Sequence, residues 1–286
     1  MIEIQKNKKY LITGGTGFLG EILVNRILHL GGNVRVISRD EGKLLSLKDK
    51  FKTIEIYTGD IFDSFEADQA CKNIDGVFHL AAFKHVDLAE KFTRECIKTN
   101  IIGTINILQS SLNNDVKFVV GVSTDKVASV KGVYGASKLL MESLFKQYEQ
   151  LNNKTQYRIV RFGNVLYSTG SVLCKWKESL FLKNEISITD PNATRYFWTG
   201  EEAVQLIFDC MKNSKDSEPY VPKMKSMKIK NLAIAFAKKY LEDPSQLNIK
   251  YIGLRPGESL HEKIVENGVS SSDAEEFTIE EMMEKI

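Results

Sequence analysis

The sequence predicts a doubly wound α/β fold built on a parallel sheet, followed by a smaller α/β unit. Three observations carry that expectation. A short apolar strand, Lys8 to Thr13, runs directly into Gly14-Gly15-Thr16-Gly17-Phe18-Leu19-Gly20 and then into a helix with an apolar stripe (Phe18, Leu19, Ile22, Leu23, Ile27, Leu28). Strand-like and helix-like segments then alternate up to a strand at Tyr157 to Phe162, and such alternation needs crossover connections and hence parallel strands. All five prolines (Pro191, Pro219, Pro222, Pro244, Pro256) fall after residue 190, where the pieces shorten and loops break them. A boundary is therefore expected near residue 168. It separates a first domain over 1–168, completed by later segments near 195–215, from a second over 169–286.

Composition narrows the classes. The chain has 286 residues, 43% hydrophobic and 27% charged, enough to bury a large core. A net charge of +2 gives no reason to expect nucleic acid or an anionic membrane surface as a partner. No stretch approaches the ~18 apolar residues of a membrane span, and residues 1–10 have no signal-peptide character. The four cysteines (Cys71, Cys96, Cys174, Cys210) are scattered, without metal-ligand or disulfide spacing, as expected of reduced thiols in the cytoplasm. No metal site is expected.

Strand, glycine turn and helix in that order form a dinucleotide-binding fingerprint, spaced G-x-x-G-x-x-G. Gly14 permits the turn, Gly17 lets the backbone approach a pyrophosphate, and Gly20 lets helix and strand pack closely. The helix start supplies free N–H groups and the positive end of its dipole. Thr16, Phe18 and Leu19 belong to the same phosphate-binding turn. The second strand, Asn33 to Ile37, ends in Ser38-Arg39-Asp40. An acid here would hold the ribose 2′-hydroxyl of NAD, and an arginine suits the 2′-phosphate of NADP. Arg39 comes first and Ser38 can add a hydrogen bond, so NADP is expected, with Asp40 leaving NAD open. The third strand, Thr53 to Tyr57, leads to Asp60 and Ile61, with Asp60 placed to accept from the adenine amino group. The fourth, Gly76 to Leu80, leads to Ala81 and Ala82, small enough for a cofactor to lie across the strand ends. Lys84 follows where a cation suits a diphosphate. His79 reads as a packed core histidine, and His85 is open between site and surface. One long helix is expected from Val86 to Leu112, with Asn100 placed to hold backbone near the active site and counted among the cofactor-binding residues.

The chemistry is expected after the fifth strand, Val116 to Val122, in Ser123-Thr124-Asp125-Lys126 and the helix carrying Tyr134 and Lys138. Four residues apart, those two side chains share a helix face. Free tyrosine titrates near ~10. The Lys138 ammonium and a cationic nicotinamide would both favour phenolate, so that Tyr134 could take a hydroxyl proton while hydride leaves. Lys138 could also hold the nicotinamide ribose.

The fingerprint, His79-Leu80-Ala81-Ala82 and Tyr134-x-x-x-Lys138 together resemble the extended short-chain dehydrogenase/reductase superfamily, whose nucleotide domain is a Rossmann sheet. More narrowly, Ala81 to Val86, Glu95 to Asn100, Ser123 to Lys126, Tyr134 to Lys138, Arg161 to Val165 and Leu254 to Glu262 resemble soluble inverting UDP-N-acetylglucosamine 4,6-dehydratases over roughly residues 8 to 265. The resemblance implies a polysaccharide-biosynthesis lyase that regenerates its cofactor each turnover, acts on a UDP-sugar and forms a homo-oligomer. C4 is oxidised, C5 loses a proton, the C6 hydroxyl leaves as water, and hydride returns to C6. It makes Asp125 the acid and Lys126 either the C5 base or a charged enolate stabiliser, with Thr124 beside them. Related dehydratases with Asp-Glu at this pair retain C5 configuration. Membrane-anchored relatives share Asp-Lys but commonly lack the tyrosine. One departure stands out: Ala128-Ser129-Val130-Lys131 replaces the usual Asn-Pro. A retaining dehydratase, a 4-epimerase and a non-catalytic cofactor-binding sensor are the alternatives.

The second domain is expected to bind substrate. Thr189 and Arg195, in a strand and loop at 186–197, are candidate contacts. The resemblance adds Asn164 and Val172, places Val165 by the nicotinamide, and makes Arg255 and Glu258 a clamp on the uridine diphosphate, with Pro256-Gly257 turning the chain. Residues after Gly268 are expected to form a peripheral tail or a short helix.

Overall fold

A computed structural model describes residues 2–151, 154–183, 185–255 and 257–286, with Phe181 and Lys183 described by their backbone alone. Pro256 lies outside the described residues. The central strand is β1 (Lys9–Thr13): four of its five residues are buried, and it pairs on both edges. From it the chain runs through α1 (Phe18–His29), β2 (Asn33–Ser38), α2 (Glu41–Lys50), β3 (Glu55–Thr58), α3 (Ser64–Cys71) and β4 (Gly76–His79). Then come α4 (Val86–Lys91), α5 (Thr93–Ile97), α6 (Gly103–Asn113), β5 (Phe118–Thr124), α7 (Val133–Leu151) and β6 (Gln156–Phe162). These six strands form one parallel sheet in the order β3-β2-β1-β4-β5-β6. The order reverses between β1 and β4, which opens a crevice at their carboxyl ends, where such folds hold ligands. The expected doubly wound α/β architecture is present.

The expected long helix at 86–112 is instead three helices. Phe92, at φ −117° and ψ 49°, breaks α4 from α5, and a π-helical turn at Lys98–Ile102 precedes α6. The wider turn accompanies an inward-facing Asn100, described below; single π turns of this kind recur at functional sites.

The chain continues through β7 (Asn164–Val165), α8 (Val172–Lys183), β8 (Glu185–Ile188), β9 (Thr194–Trp198), α9 (Gly200–Asn213), β10 (Ser226–Lys228), α10 (Ile229–Tyr240), β11 (Asn248–Tyr251) and α11 (Ile279–Lys285). Small sheets β10-β9-β7 and β11-β8 frame this lobe. Three apolar cores hold the molecule together. One packs α1 and α9 on a face of the main sheet, a second packs α3, α6 and α7 on the other, and a third joins α8, α10, α11, β8 and β9. Helix α9, stopped at its start by a Thr199–Glu202 capping box, returns the chain from the lobe to the first core. The C-terminal residues are not peripheral. Ser271 and Met282 are fully buried, and α11, capped by Thr278, packs on α10. No helix among the described residues is long and apolar enough to cross a membrane.

Candidate active site

The carboxyl ends of the strands open into a cleft of about 1030 Å³ that extends between the sheet and the lobe. At one end lies the glycine turn. Gly14 has φ +73°, and a Cβ on Gly20 would sit 2.3 Å from the Gly14 carbonyl oxygen, so α1 starts flush against β1. Thr16, Gly17, Phe18 and Leu19 line the cleft beside it. Thr16 Oγ1 donates to Ser38 Oγ at 3.3 Å, and Arg39 Nη1 lies 3.4 Å from Asp60 Oδ2. Asp40 caps α2: its Oδ1 accepts from the Lys43 amide at 3.0 Å, and Lys43 holds its carboxyl below the usual range. Asp60 Oδ1 accepts from the Phe62 amide, and Ile61 lines the same wall. Lys43, facing this end with Arg39, was not singled out from sequence; its position at the start of a helix after the second strand was the available signal.

Ala81 and Ala82 line the middle of the cleft. Asn100 does not: it is buried and its amide is committed. Its Oδ1 accepts from the Phe83 amide at 2.7 Å, while Nδ2 donates to Phe83 O at 3.1 Å and to Ser137 Oγ at 2.9 Å. As expected, it holds backbone beside the site, tying the Ala81–His85 loop to α7, while the direct cofactor contact also expected of it is not made from the cleft wall. His79 is a core residue, bonded to Thr13 and Thr104, and burial pushes its imidazole down to about 3. Lys84 Nζ donates to Thr169 O at 2.9 Å, and burial lowers its ammonium. His85 faces the cleft near it.

The reactive groups converge at the end of β5. Thr124 accepts from the Lys126 amide at 3.4 Å and donates to Asp125 Oδ1 at 3.0 Å. Lys126 Nζ donates to the same Oδ1 at 2.9 Å. Asp125 is 2% exposed, and its Oδ2 is buried without a hydrogen-bond partner among the described residues. Tyr134 stands opposite because α7 begins against this turn; a Cβ on Gly135 would lie 2.7 Å from the Lys126 carbonyl oxygen. Burial pushes the Tyr134 phenol up to about 12, against the Thr124 hydroxyl and the Lys126 ammonium. In the fold by itself the cation that favours the Tyr134 phenolate is Lys126. Lys138 Nζ donates to Val122 O at 2.7 Å and is brought down to about 8 by burial, opposed by Glu142 and Cys96.

From the lobe, Asn164, Val165, Val172, Thr189, Arg255 and Glu258 reach the cleft wall. Asn164 Nδ2 donates to Tyr196 O at 3.2 Å, and Glu258 Oε2 accepts from the Arg255 amide at 3.0 Å. Arg195 also borders the cleft, but its guanidinium is engaged: Nη1 donates to Thr194 O and Leu260 O, and Nη2 to Ser259 O at 2.8 Å. In the fold by itself this guanidinium is a clasp on the 259–262 loop at the edge of the cleft. That clasp positions Glu262, whose Oε1 lies 3.0 Å from Lys126 Nζ. Sequence reasoning missed Glu262 as a site residue. It sits in a loop with no periodicity, and the only pointer was its place in the Leu254–Glu262 stretch.

A glycine turn under a helix start, a Tyr/Lys helix and an Asp-Lys pair at one strand end define a dehydrogenase-like nucleotide enzyme of the extended short-chain dehydrogenase/reductase type. The polysaccharide biosynthesis protein family model matches residues 10–283, and the chain belongs to that family. It is similar to an uncharacterised membrane protein of Methanocaldococcus jannaschii, at 36% identity over 91% of this chain and 81% of that one. It is 35% identical to a UDP-N-acetylglucosamine 4,6-dehydratase (inverting) of Campylobacter jejuni, over 96% and 80% of the two chains. It is 33% identical to a UDP-glucose 4-epimerase of Rickettsia rickettsii, over 91% and 78%. Among solved structures, Pen from Bacillus thuringiensis superposes with a TM-score of 0.88 at 33% identity, over 92% of this chain and 85% of that one.

Proposed function

We propose that this protein is an NADP-dependent UDP-N-acetylglucosamine 4,6-dehydratase that inverts C5 and yields a UDP-2-acetamido-2,6-dideoxy-L-hex-4-ulose for glycan synthesis. The observation that carries the reading is the orphaned Asp125 Oδ2 beside Lys126 and Tyr134 in one cleft: a buried acceptor calls for a ligand hydroxyl. The Campylobacter relative's name and the Asp-Lys pair support the dehydratase; the Rickettsia relative supports a 4-epimerase as the second reading.

The residues fit the cofactor. The Gly14–Gly20 turn and the start of α1 suit a pyrophosphate, and Thr16, Ser38, Arg39 and Lys43 line the end of the cleft and would suit a 2′-phosphate. When bound, the nicotinamide would supply the hydride acceptor for C4 and the hydride donor for C6, and C5 would then take a solvent-derived proton on the face opposite the one that lost it. Tyr134 takes the C4 hydroxyl proton in the first stage, and Lys138 holds the ribose side. Asp125 then gives a proton to the C6 oxygen, which leaves as water, while the C5 proton is taken at Lys126. Arg255 and Glu258 hold the diphosphate and uridine ribose.

Product NMR after incubation with UDP-N-acetylglucosamine in deuterated water tests the reading. The expected product is a 6-deoxy-4-ketose carrying deuterium at inverted C5. A retained C5 would refute the inverting assignment, and a 4-epimer formed without loss of water would establish the second reading. For the cofactor, Arg39→Ala should weaken NADP about 10- to 100-fold and leave NAD nearly unchanged, as expected for one lost charge-assisted contact. Titration by fluorescence measures both; tighter NAD than NADP binding by the unmodified protein would remove the NADP assignment.

A further inference from the structure

Glu262 is a buried charge that the proposed chemistry leaves without a task. Its side chain is 2% exposed, and Oε1 lies 3.0 Å from Lys126 Nζ and 3.7 Å from Arg195 Nε. At this distance the Glu262 and Lys126 side chains act on each other chiefly through charge. Its placement is over-determined. The Glu262 amide donates to Ser271 Oγ at 2.8 Å, the Ser271 amide donates to Glu262 O at 2.7 Å, and Arg161 Nη1 donates to Ile264 O at 3.0 Å. A fold does not hold a second carboxylate against an already paired lysine by accident of a flexible loop.

The consequence follows from electrostatics. Burial pulls the Lys126 ammonium down, and Asp125 and Glu262 more than reverse it, so Lys126 sits above the ordinary lysine value. The charged and titratable groups facing it are Asp125 from its own turn, Glu262 from the C-terminal segment, Arg195 from β9 and Tyr134 from α7. Tyr196 on β9 and Asp273 lie beyond the two carboxylates. Burial also raises the Glu262 carboxyl, opposed by Lys126 and Arg195.

We propose that Glu262 is a positioning residue that keeps Lys126 as an ammonium in the resting site, so that the outlet for its proton is Asp125. This rests on the dehydratase reading above and deepens it. One transfer across the 2.9 Å contact breaks an N–H bond at Lys126 and forms an O–H bond at Asp125. Both charges cancel, leaving an amine for the C5 proton and an acid for the C6 hydroxyl. When C5–H breaks, its proton goes to the amine; when C6–O breaks, the Asp125 proton leaves with the water. The ammonium and carboxylate of the resting site are thereby restored, and Glu262 again faces a cation.

The test is the titration of Lys126 in the free protein, read by competitive acetylation across pH with mass spectrometry of the Lys126 peptide. Glu262→Gln should lower the midpoint by about one pH unit or more, the size expected for removing one facing charge. Glu262→Asp, which keeps the charge one methylene further away, should lower it by less. In turnover, the high-pH loss of deuterium incorporation at C5 should move down with the midpoint in Glu262→Gln, while cofactor reduction keeps its pH dependence. An unmoved midpoint in either variant overturns the proposal, as does C5 incorporation that rises with pH through that midpoint. The acetylation readout needs no substrate. If the unmodified protein makes no dehydrated product, the functional reading fails while the role of Glu262 is still decided.

Discussion

Replacing Tyr134 by Phe is expected to lower the rate of cofactor reduction by UDP-N-acetylglucosamine about 10³-fold, within the 10²–10⁴ range for loss of a general acid or base. At 1.36 kcal/mol per factor of ten, that is about 4 kcal/mol of barrier. In the proposed reaction the phenol takes the C4 hydroxyl proton, and phenylalanine fills nearly the same volume at the start of α7. Substrate binding should therefore stay within a few-fold. The buried phenol starts at about 12 in the fold by itself, so its work near neutrality depends on the positive charges that meet it: Lys126 from the chain and the nicotinamide when bound. Single-turnover absorbance at the reduced cofactor's band measures the effect. Reduction within tenfold of the unmodified protein would remove Tyr134 from the C4 step.

Replacing Glu142 by Ala is expected to destabilise the fold by about 3–5 kcal/mol, the cost of stripping one partner from a buried ion pair. Glu142 on α7 is 2% exposed and accepts from Arg161 Nε at 2.7 Å and from Arg161 Nη2, in a fork on β6. Ser123 Oγ on β5 donates to the same carboxylate. Without it, the Arg161 guanidinium, largely shielded from water, keeps the Ile264 carbonyl as its side-chain hydrogen-bond partner among the described residues. Because Ile264 belongs to the segment that seats Glu262, the loss should also reach the Lys126 site. Urea unfolding followed by circular dichroism measures the change. A loss below about 1 kcal/mol, the median worth of an exposed pair, would mean that water reaches the fork.

The parts of this site legible from sequence are those written in a single local stretch. The glycine turn predicts a cradle because the order strand, turn, helix and the spacing of three glycines are enough to specify close approach. Tyr134 and Lys138 are readable because four residues is one helical turn. The Asp125-Lys126 pair is readable because it ends an apolar run, and a strand's carboxyl end is where this sheet opens. Alternation of strands and helices likewise predicts the parallel sheet, since parallel neighbours require crossovers.

Arg195, Asn100 and Glu262 show what local sequence does not carry. Arg195 looks like a substrate contact in a polar loop, yet its donors meet the carbonyls of Ser259 and Leu260. Asn100 looks like a cofactor contact, yet it ties Phe83 to Ser137. Glu262 carried no signal beyond its place in the Leu254–Glu262 stretch. Each has its role set by partners that reach it only when the chain returns across the sheet.

The amino-acid sequence alone determined the nucleotide domain, the strand order class and the acid, amine and phenol at the end of β5, because helix and strand periodicities are properties of neighbouring residues. Tertiary structure alone decided which charges those groups face. The second carboxylate on Lys126 and an arginine turned into a clasp follow from how the lobe docks on the sheet. Electrostatic energy depends on distance and burial, and neither is a function of position along the chain.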